Sequence, residues 1–289
     1  MIKKAVIPAA GFGTRFLPVT KSQPKEMLPI VDTPTIQYVV EEAVEAGMTD
    51  ILMIIGKGKR SIEEHFDRSI ELEQQLEAKR KFRELEKIRN ITQLADIHFV
   101  WQKELNGLGD AIRYAYHHVN NEPFAVLLGD TLIEGEQGSV TKQLMKVYNR
   151  YKKSVVALEE VDKNLVGRYG VIGGKEIKPN VYAVEKFIEK PAVEKAPSNL
   201  AIASRYIFTP EIFTYLSRVK PGINNEIQLT DAMQLMLKEH DMYALKFDGV
   251  RYDIGNKLDF LKTNIIYGLK RKDLGNELRE WLKELVKNL

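Results

Sequence analysis

The first residues whose types and spacing suggest chemistry are Pro8-Ala9-Ala10-Gly11-Phe12-Gly13-Thr14-Arg15. Small residues and two glycines let backbone amides approach a phosphate closely, and an arginine just beyond offers a planar fork of donors. That pattern suits polyphosphate binding. Two familiar phosphate loops do not fit it. A dinucleotide fingerprint needs a third glycine where Phe16 stands, and a P-loop needs Gly-Lys-Ser/Thr where Thr14-Arg15 stand. Gly56-Lys57-Gly58-Lys59 also fails the P-loop spacing. The continuation is stiffened by Pro18, Pro24 and Pro29 and carries Lys21 and Lys25. A basic, restrained loop behind a glycine turn suits a polyphosphate with a metal ion. Farther on, Leu128-Gly129-Asp130 ends an apolar run, and an aspartate there is a hard oxygen ligand suited to Mg²⁺.

Other chemistries are excluded by what the chain lacks. Its 289 residues include no cysteine, so there is no thiolate nucleophile, disulfide or cysteine-based metal site. The histidines (His65, His98, His117, His118 and His240) have no metal or nucleophile spacing. Lysine plus arginine is 43 against 40 acidic residues, a balance that argues against a dedicated nucleic-acid binder. No apolar window approaches the ~18 residues of a membrane span, and the N-terminus lacks a signal-peptide core. The expectation is a cytoplasmic protein without nucleic-acid or membrane partners.

The elements that must position these residues alternate. Strands are expected at Lys3–Pro8, Asp50–Ile55, Ile97–Trp101 and Phe124–Leu128. Helices are expected after Thr33 (as N-cap, with Pro34 first and Gly47 as the stop), after Gly109, and over Val140–Tyr151. Alternating strands and helices imply an α/β, Rossmann-like, mixed but mostly parallel sheet flanked by helices. Its ligands would sit at the carboxyl ends of the strands. Residues 61–90, dense in both signs of charge, read as one or two exposed helices. Strands at Val155–Glu160, Tyr169–Ile172, Val181–Ile188 and Leu200–Phe208 read as the second half of the sheet plus a substrate-binding subdomain. Leu278, Trp281, Leu282, Leu285 and Leu289 form a helical stripe in the C-terminal tail that needs a partner, in its own chain or in another subunit. The division expected is one domain over 1–270, in two parts that meet near residue 150, followed by an amphipathic helix over 271–289.

The run Ala-Ala-Gly-x-Gly-Thr-Arg-x-Leu-Pro-x-Thr-Lys, followed by Pro-Lys-Glu-Met-Leu-Pro, resembles the sugar-1-phosphate nucleotidylyltransferases, and most of all the UTP–glucose-1-phosphate uridylyltransferases of the bacterial and archaeal type. Further matching elements recur in order over about residues 3 to 268: Gln102–Ala111, Leu128-Gly129-Asp130, Gly167–Ile172, Glu185–Pro191, Ala196–Ala201, Arg205-Tyr206, Asn225–Ala232 and Tyr252–Lys257. The resemblance implies transfer of a uridylyl group from UTP to glucose 1-phosphate, releasing pyrophosphate, with Mg²⁺ as cofactor and a homo-oligomer (dimer or tetramer) as the assembly. It implies a nucleotide site from Ala9, Ala10, Gly11, Gly13, Thr14, Arg15, Lys25, Gln102, Gly107 and Asp130, with Gln102 and Gly107 on the uracil edge. Gly170, Glu189 and Lys190 would hold the sugar phosphate, and Asp130 and Asp253 the metal. Arg15, Lys25 and Lys190 are the expected catalytic cations, and losing Lys25 or Lys190 is expected to cost on the order of 10²–10³ in turnover. Glu189 and Lys190 would point to opposite sides of a regular strand, unless the strand ends before Pro191. Asp231, at the start of the helix after Thr230, is as well suited to capping as to substrate. The family usually has histidine where Asp110 stands, and its uridylyl branch often has proline where Gly129 stands. These two positions favour an alternative, a thymidylyltransferase or an enzyme of relaxed nucleotide choice, which Asn225–Ala232 disfavours. The remaining alternatives are a dinucleotide-binding oxidoreductase and a catalytically silent nucleotide-sugar binding module.

Overall fold

A computed structural model describes residues 2–136, 138–222 and 225–288. The strands are β1 (Lys4–Ala9), β2 (Pro29–Ile30), β3 (Thr33–Pro34), β4 (Asp50–Ile55), β5 (Asp96–Trp101), β6 (Phe124–Leu127), β7 (Thr131–Gly135), β8 (Val155–Glu160), β9 (Gly170–Lys178), β10 (Val181–Glu189), β11 (Leu200–Phe208), β12 (Tyr243–Lys246) and β13 (Gly249–Asp253). The helices are α1 (Thr35–Glu45), α2 (Arg60–Phe66), α3 (Ile70–Ala78), α4 (Phe82–Thr92), α5 (Leu108–Arg113), α6 (Tyr116–Val119), α7 (Val140–Tyr151), α8 (Ile212–Arg218), α9 (Leu229–Met236), α10 (Lys257–Lys270) and α11 (Gly275–Lys287).

Nine strands form one sheet in the order β5-β4-β1-β6-β11-β8-β12-β10-β9. The apolar runs of β1 and β4 are buried on both faces because alternate residues feed different cores. Ala5, Ile7, Ile51 and Met53 point to the side of α1 and α7, and Val6, Leu52 and Ile54 to the side of α5, α8 and α9. Pairing is parallel across β5-β4-β1-β6 and between β8 and β12. It is antiparallel at β11, which lies between β6 and β8, and through β12-β10-β9. The predicted parallel pairing therefore belongs mainly to the first half of the sheet. In the second half β9 and β10 form a short-turned hairpin, and the other antiparallel pairs join strands distant in sequence.

Local expectations were met unevenly. Gly47 ends α1's turn at φ +87°, a conformation that favours glycine. The helix itself starts at Thr35, later than predicted, because Thr33-Pro34 pair with Pro29-Ile30 as a two-stranded ribbon and Pro34 occupies the cap position. Residues 61–90 hold three helices, α2 to α4, rather than one or two. In the C-terminal tail, Leu278 packs against Gly268 of α10, while Trp281 and Leu285 remain exposed; Leu289 lies outside the described residues. Among the described residues no helix is long and apolar enough to cross a membrane.

The element that no local pattern announces is a second ribbon, β7 with β13, outside the main sheet. Its register sets Asp253 opposite Thr131, the neighbour of Asp130. Two carboxylates distant in sequence are thereby brought to the same end of the fold.

Candidate active site

The loop after β1 turns at Gly13, whose φ of +66° and close neighbours both exclude a side chain: a Cβ there would stand 3.0 Å from Lys25 Cβ. The Thr20 hydroxyl donates to the Gly13 carbonyl at 2.8 Å and closes the loop. Lys25, in a single 3₁₀ turn, is thereby held beside the glycines, its Nζ 3.9 Å from where a Gly11 Cβ would be. The same Nζ donates to Asp130 Oδ2 at 2.6 Å. Burial works against the lysine's charge, but Asp130 and Glu26 outweigh it and hold its pKa above the usual lysine value. Burial likewise opposes ionisation of Asp130, and Lys25 with Arg15 outweighs it, so its carboxyl is held below the usual range. The pair is an ionised bridge across neutral pH.

Beneath it lies a second pair. Lys59 Nζ donates to Glu26 Oε2 at 2.7 Å, with both residues buried. Here burial dominates: it pushes Glu26 up and Lys59 down, against the attraction between them. Burial works against the charge on both partners, and removing one of them leaves the other buried without its counter-charge. Lys59→Met alone, which leaves Glu26 buried without this partner, is expected to destabilise the fold by about 3–5 kcal/mol. Combined with Glu26→Gln, most of that loss should return. Urea unfolding of both variants checks this, and equal stabilities for the single and double variants would refute it.

Asp130 stands on a turn braced from behind. Arg205 of β11, 1 % exposed, donates to the carbonyls of Leu128 (3.4 Å), Ser204 (3.0 Å) and Thr131 (2.8 Å). Its other face forks onto Glu42 Oε2 at 2.9 and 2.7 Å. Glu42 Oε1 in turn accepts from the Thr141 amide and hydroxyl at the start of α7. Gly129 is closely packed: a Cβ there would stand 3.0 Å from Ile36 Cδ1, which would have to give by a few tenths of an ångström.

Ala10, Gly11, Lys25, Gln102, Gly107 and Asp130, all predicted from the sequence, line one cavity of about 280 Å³. Gln102, 6 % exposed, donates from Nε2 to Asp110 Oδ2 at 3.0 Å and to the Gly107 carbonyl at 3.4 Å. Gly107 has φ +98°, and a Cβ there would stand 2.7 Å from Glu226 Cβ. The loop is docked on the segment before α9 through Ile227 N to Asn106 O (2.7 Å) and Gly109 N to Ile227 O (2.9 Å). A wider cleft of about 870 Å³, between Trp101, Tyr116 and Phe213, is lined by Asp110 and by none of the phosphate-loop residues.

The remaining candidates form two groups around this cavity. Arg15 Nη1 donates to the Gly255 carbonyl at 3.3 Å, tying the phosphate loop to the Asp253 element. Asp253 Oδ1 accepts from the Gly255 amide at 2.9 Å. The other group is Gly170, Glu189 and Lys190. Thr230 Oγ1 donates to Glu189 Oε2 at 2.7 Å, and a Cβ on Gly170 would meet that hydroxyl at 2.9 Å. β10 ends at Glu189 and Lys190 turns to φ +44°, so its Nζ comes back to 3.7 Å from Glu189 Oε1. The strand end before Pro191 thus puts both side chains on one side. Asp231 lies in the first turn of α9, where Gln228 is the cap residue and no side-chain cap bond forms; burial and Glu189 raise its pKa. Lys21 is exposed on the outer turn.

As a metal site, Asp130 and Asp253 give two hard carboxylates, and no group of three or more possible ligands gathers among the described residues. That donor set does not form an all-protein cage. It fits Mg²⁺, which is commonly bound by one or two carboxylates together with substrate phosphates and water.

Residues 4–268 match the family model for nucleotidyl transferases. The chain is 55 % identical over 284 residues to the UTP–glucose-1-phosphate uridylyltransferase of Staphylococcus haemolyticus, covering 98 % of both chains. It is similar to a solved UDP-glucose pyrophosphorylase complexed with UDP-glucose (47 % identity, TM-score 0.87, 94 % of this chain and all of that one). It is also similar to a UTP-bound UDP-glucose pyrophosphorylase from Acinetobacter baumannii (39 % identity, TM-score 0.90, 99 % of this chain and all of that one).

Proposed function

The chain belongs to the nucleotidyl transferase family, and on that premise we propose that it transfers the uridylyl group of UTP to glucose 1-phosphate, giving UDP-glucose and pyrophosphate. The observation that carries this reading is the meeting of Gly11 of the phosphate loop, Lys25 and Asp130 with Gln102 and Gly107 in the lining of one cavity. A triphosphate laid along it places its base against Gln102 and its phosphates against Gly11, Lys25 and Arg15. Residues 1–150 supply this part. Residues 151–270 supply Gly170, Glu189 and Lys190 for the sugar phosphate, and Asp253.

A non-bridging oxygen of glucose 1-phosphate forms a bond to the α-phosphorus of UTP as the α–β bridging P–O bond breaks and pyrophosphate leaves with the electron pair. The attacking group is already an anion, so no protein nucleophile or general base is required. The protein aligns two anions and offsets the charge that keeps them apart. Lys25 holds the α-phosphate and the approaching sugar phosphate, Arg15 and the Gly11–Thr14 amides hold the departing pyrophosphate, and Lys190 faces the sugar phosphate with Glu189 on the sugar hydroxyls. Asp130 and Asp253 would hold Mg²⁺, which when bound supplies positive charge to the phosphates. We read the protein as a cytoplasmic homo-oligomer.

Pyrophosphate release from each of UTP, dTTP, CTP and ATP against several hexose 1-phosphates, with and without Mg²⁺, tests the proposal. No release with UTP and glucose 1-phosphate would overturn it, and faster release with dTTP would move it to the thymidylyl reading. Lys190 is 41 % exposed, so water screens it and lowers the ~10²–10³ loss expected from the sequence: Lys190→Ala is expected to cost about tenfold to a hundredfold. The loss should fall mainly on KM for glucose 1-phosphate in initial-rate measurements. An unchanged KM removes Lys190 from the site.

A further inference from the structure

Gln102 has one amide nitrogen with two hydrogens, and both face acceptors: the Asp110 carboxylate at 3.0 Å and the Gly107 carbonyl at 3.4 Å. A carboxylate oxygen and a carbonyl oxygen both accept, so together they fix which end of the amide is nitrogen. Asp110 is itself held in place. It lies in the first turn of α5, whose Gly109 amide is bonded to Ile227 O at 2.9 Å, and its other oxygen is 3.6 Å from Arg113 Nη1. The Gln102 backbone is pinned by its amide bond to the Ile55 carbonyl at 2.9 Å, at the end of β4. Oε1 is therefore the polar atom left to a ligand, and it can only accept.

We infer that Asp110 is a specificity-determining positioning residue: by holding the Gln102 amide with Oε1 outward, it restricts the bound base to a pyrimidine that carries an N3–H. Uracil and thymine donate N3–H to such an oxygen. Cytosine presents a lone pair at N3 and meets it with repulsion, which leaves two acceptors facing each other without a proton between them. The device separates uracil and thymine from cytosine and does not separate the first two. It rests on the reading that the base sits against Gln102.

The alternative role for Asp110 is structural, an acidic residue favoured in the first turn of a helix. The two roles differ in what they move. The parent protein and Asp110→Asn, which is nearly isosteric, are assayed by pyrophosphate release with UTP and with CTP, each with glucose 1-phosphate, and their thermal unfolding is compared. An asparagine can donate as well as accept, so the Gln102 amide is free to turn. The expected result is that the UTP-over-CTP ratio of kcat/KM falls about tenfold, the scale of one mispaired buried hydrogen bond. A structural role lowers both substrates alike, and a ratio within twofold of the parent's overturns the inference. Asp110→Ser carries the same expectation if the asparagine variant does not fold. A parent protein inactive with UTP would instead overturn the activity reading, so the two failures are distinguishable.

Discussion

Lys25→Ala lowers turnover by about 10²–10³ while the protein stays folded. The expectation follows from where the ammonium stands. It is the cation that the structure places between the glycine loop and Asp130, and it is held charged by its neighbours. Its bridge to Asp130 is partly buried, with 23 % and 29 % of the two side chains exposed, so its removal also costs the fold some stability, which the melting curve measures apart from turnover. In the reaction the same ammonium meets charge that builds between two phosphates, in a setting from which water is largely removed, and there one donor is worth several kcal/mol. Steady-state turnover with saturating UTP and glucose 1-phosphate is the measurement, with a melting curve as control. Turnover within threefold of the parent would take Lys25 out of the reaction.

The second large effect is on stability. Arg205→Ala removes the donor fork behind the Asp130 turn, takes a donor from three carbonyls and leaves Glu42, 8 % exposed, as a buried carboxylate without its counter-charge. Breaking such a pair by removing one partner costs about 3–5 kcal/mol. For a chain of this size that lowers the melting temperature by about five to eight degrees. Arg205→Lys should recover only part of it, because one ammonium cannot serve a carboxylate and three carbonyls in a planar fork. A melting temperature within two degrees of the parent in Arg205→Ala would show that the bracing is not needed.

These two residues also show what the sequence carries and what it leaves out. Lys25 is legible, because Pro24, the glycine turn and the basic loop are contiguous and their chemistry is local. Most strands are legible for the same reason: β4, β8 and β11 were read to the residue from their apolar runs. Arg205 is visible as a matching motif, but its task is not. Its partners come from β6, β7 and α1, and nothing near it in the chain names Glu42 as the counter-charge. Lys59 was dismissed with a failed P-loop pattern, and only the fold sets it under Glu26. Asp110 stood out as a departure from the family pattern, yet its contact with Gln102 depends on how α5 docks. The pairing of β7 with β13 is a matter of long-range register, which short windows of sequence cannot report.

The position of β11 has a consequence for how the protein is made. Ribosomal synthesis delivers β1, β4, β5 and β6 first, and folding of a long chain proceeds from what has emerged. Yet β6 is paired on one side only until Leu200–Phe208 arrives, because β8 joins the sheet through β11 and not through β6. For the synthesis of some seventy residues, Phe124-Ala125-Val126-Leu127 is therefore an open, fully apolar edge of the kind that recruits other chains. Premature stops between β6 and β11 would yield sticky half-sheets instead of a dormant domain. The half of the protein that carries the phosphate loop cannot be released as a module of its own.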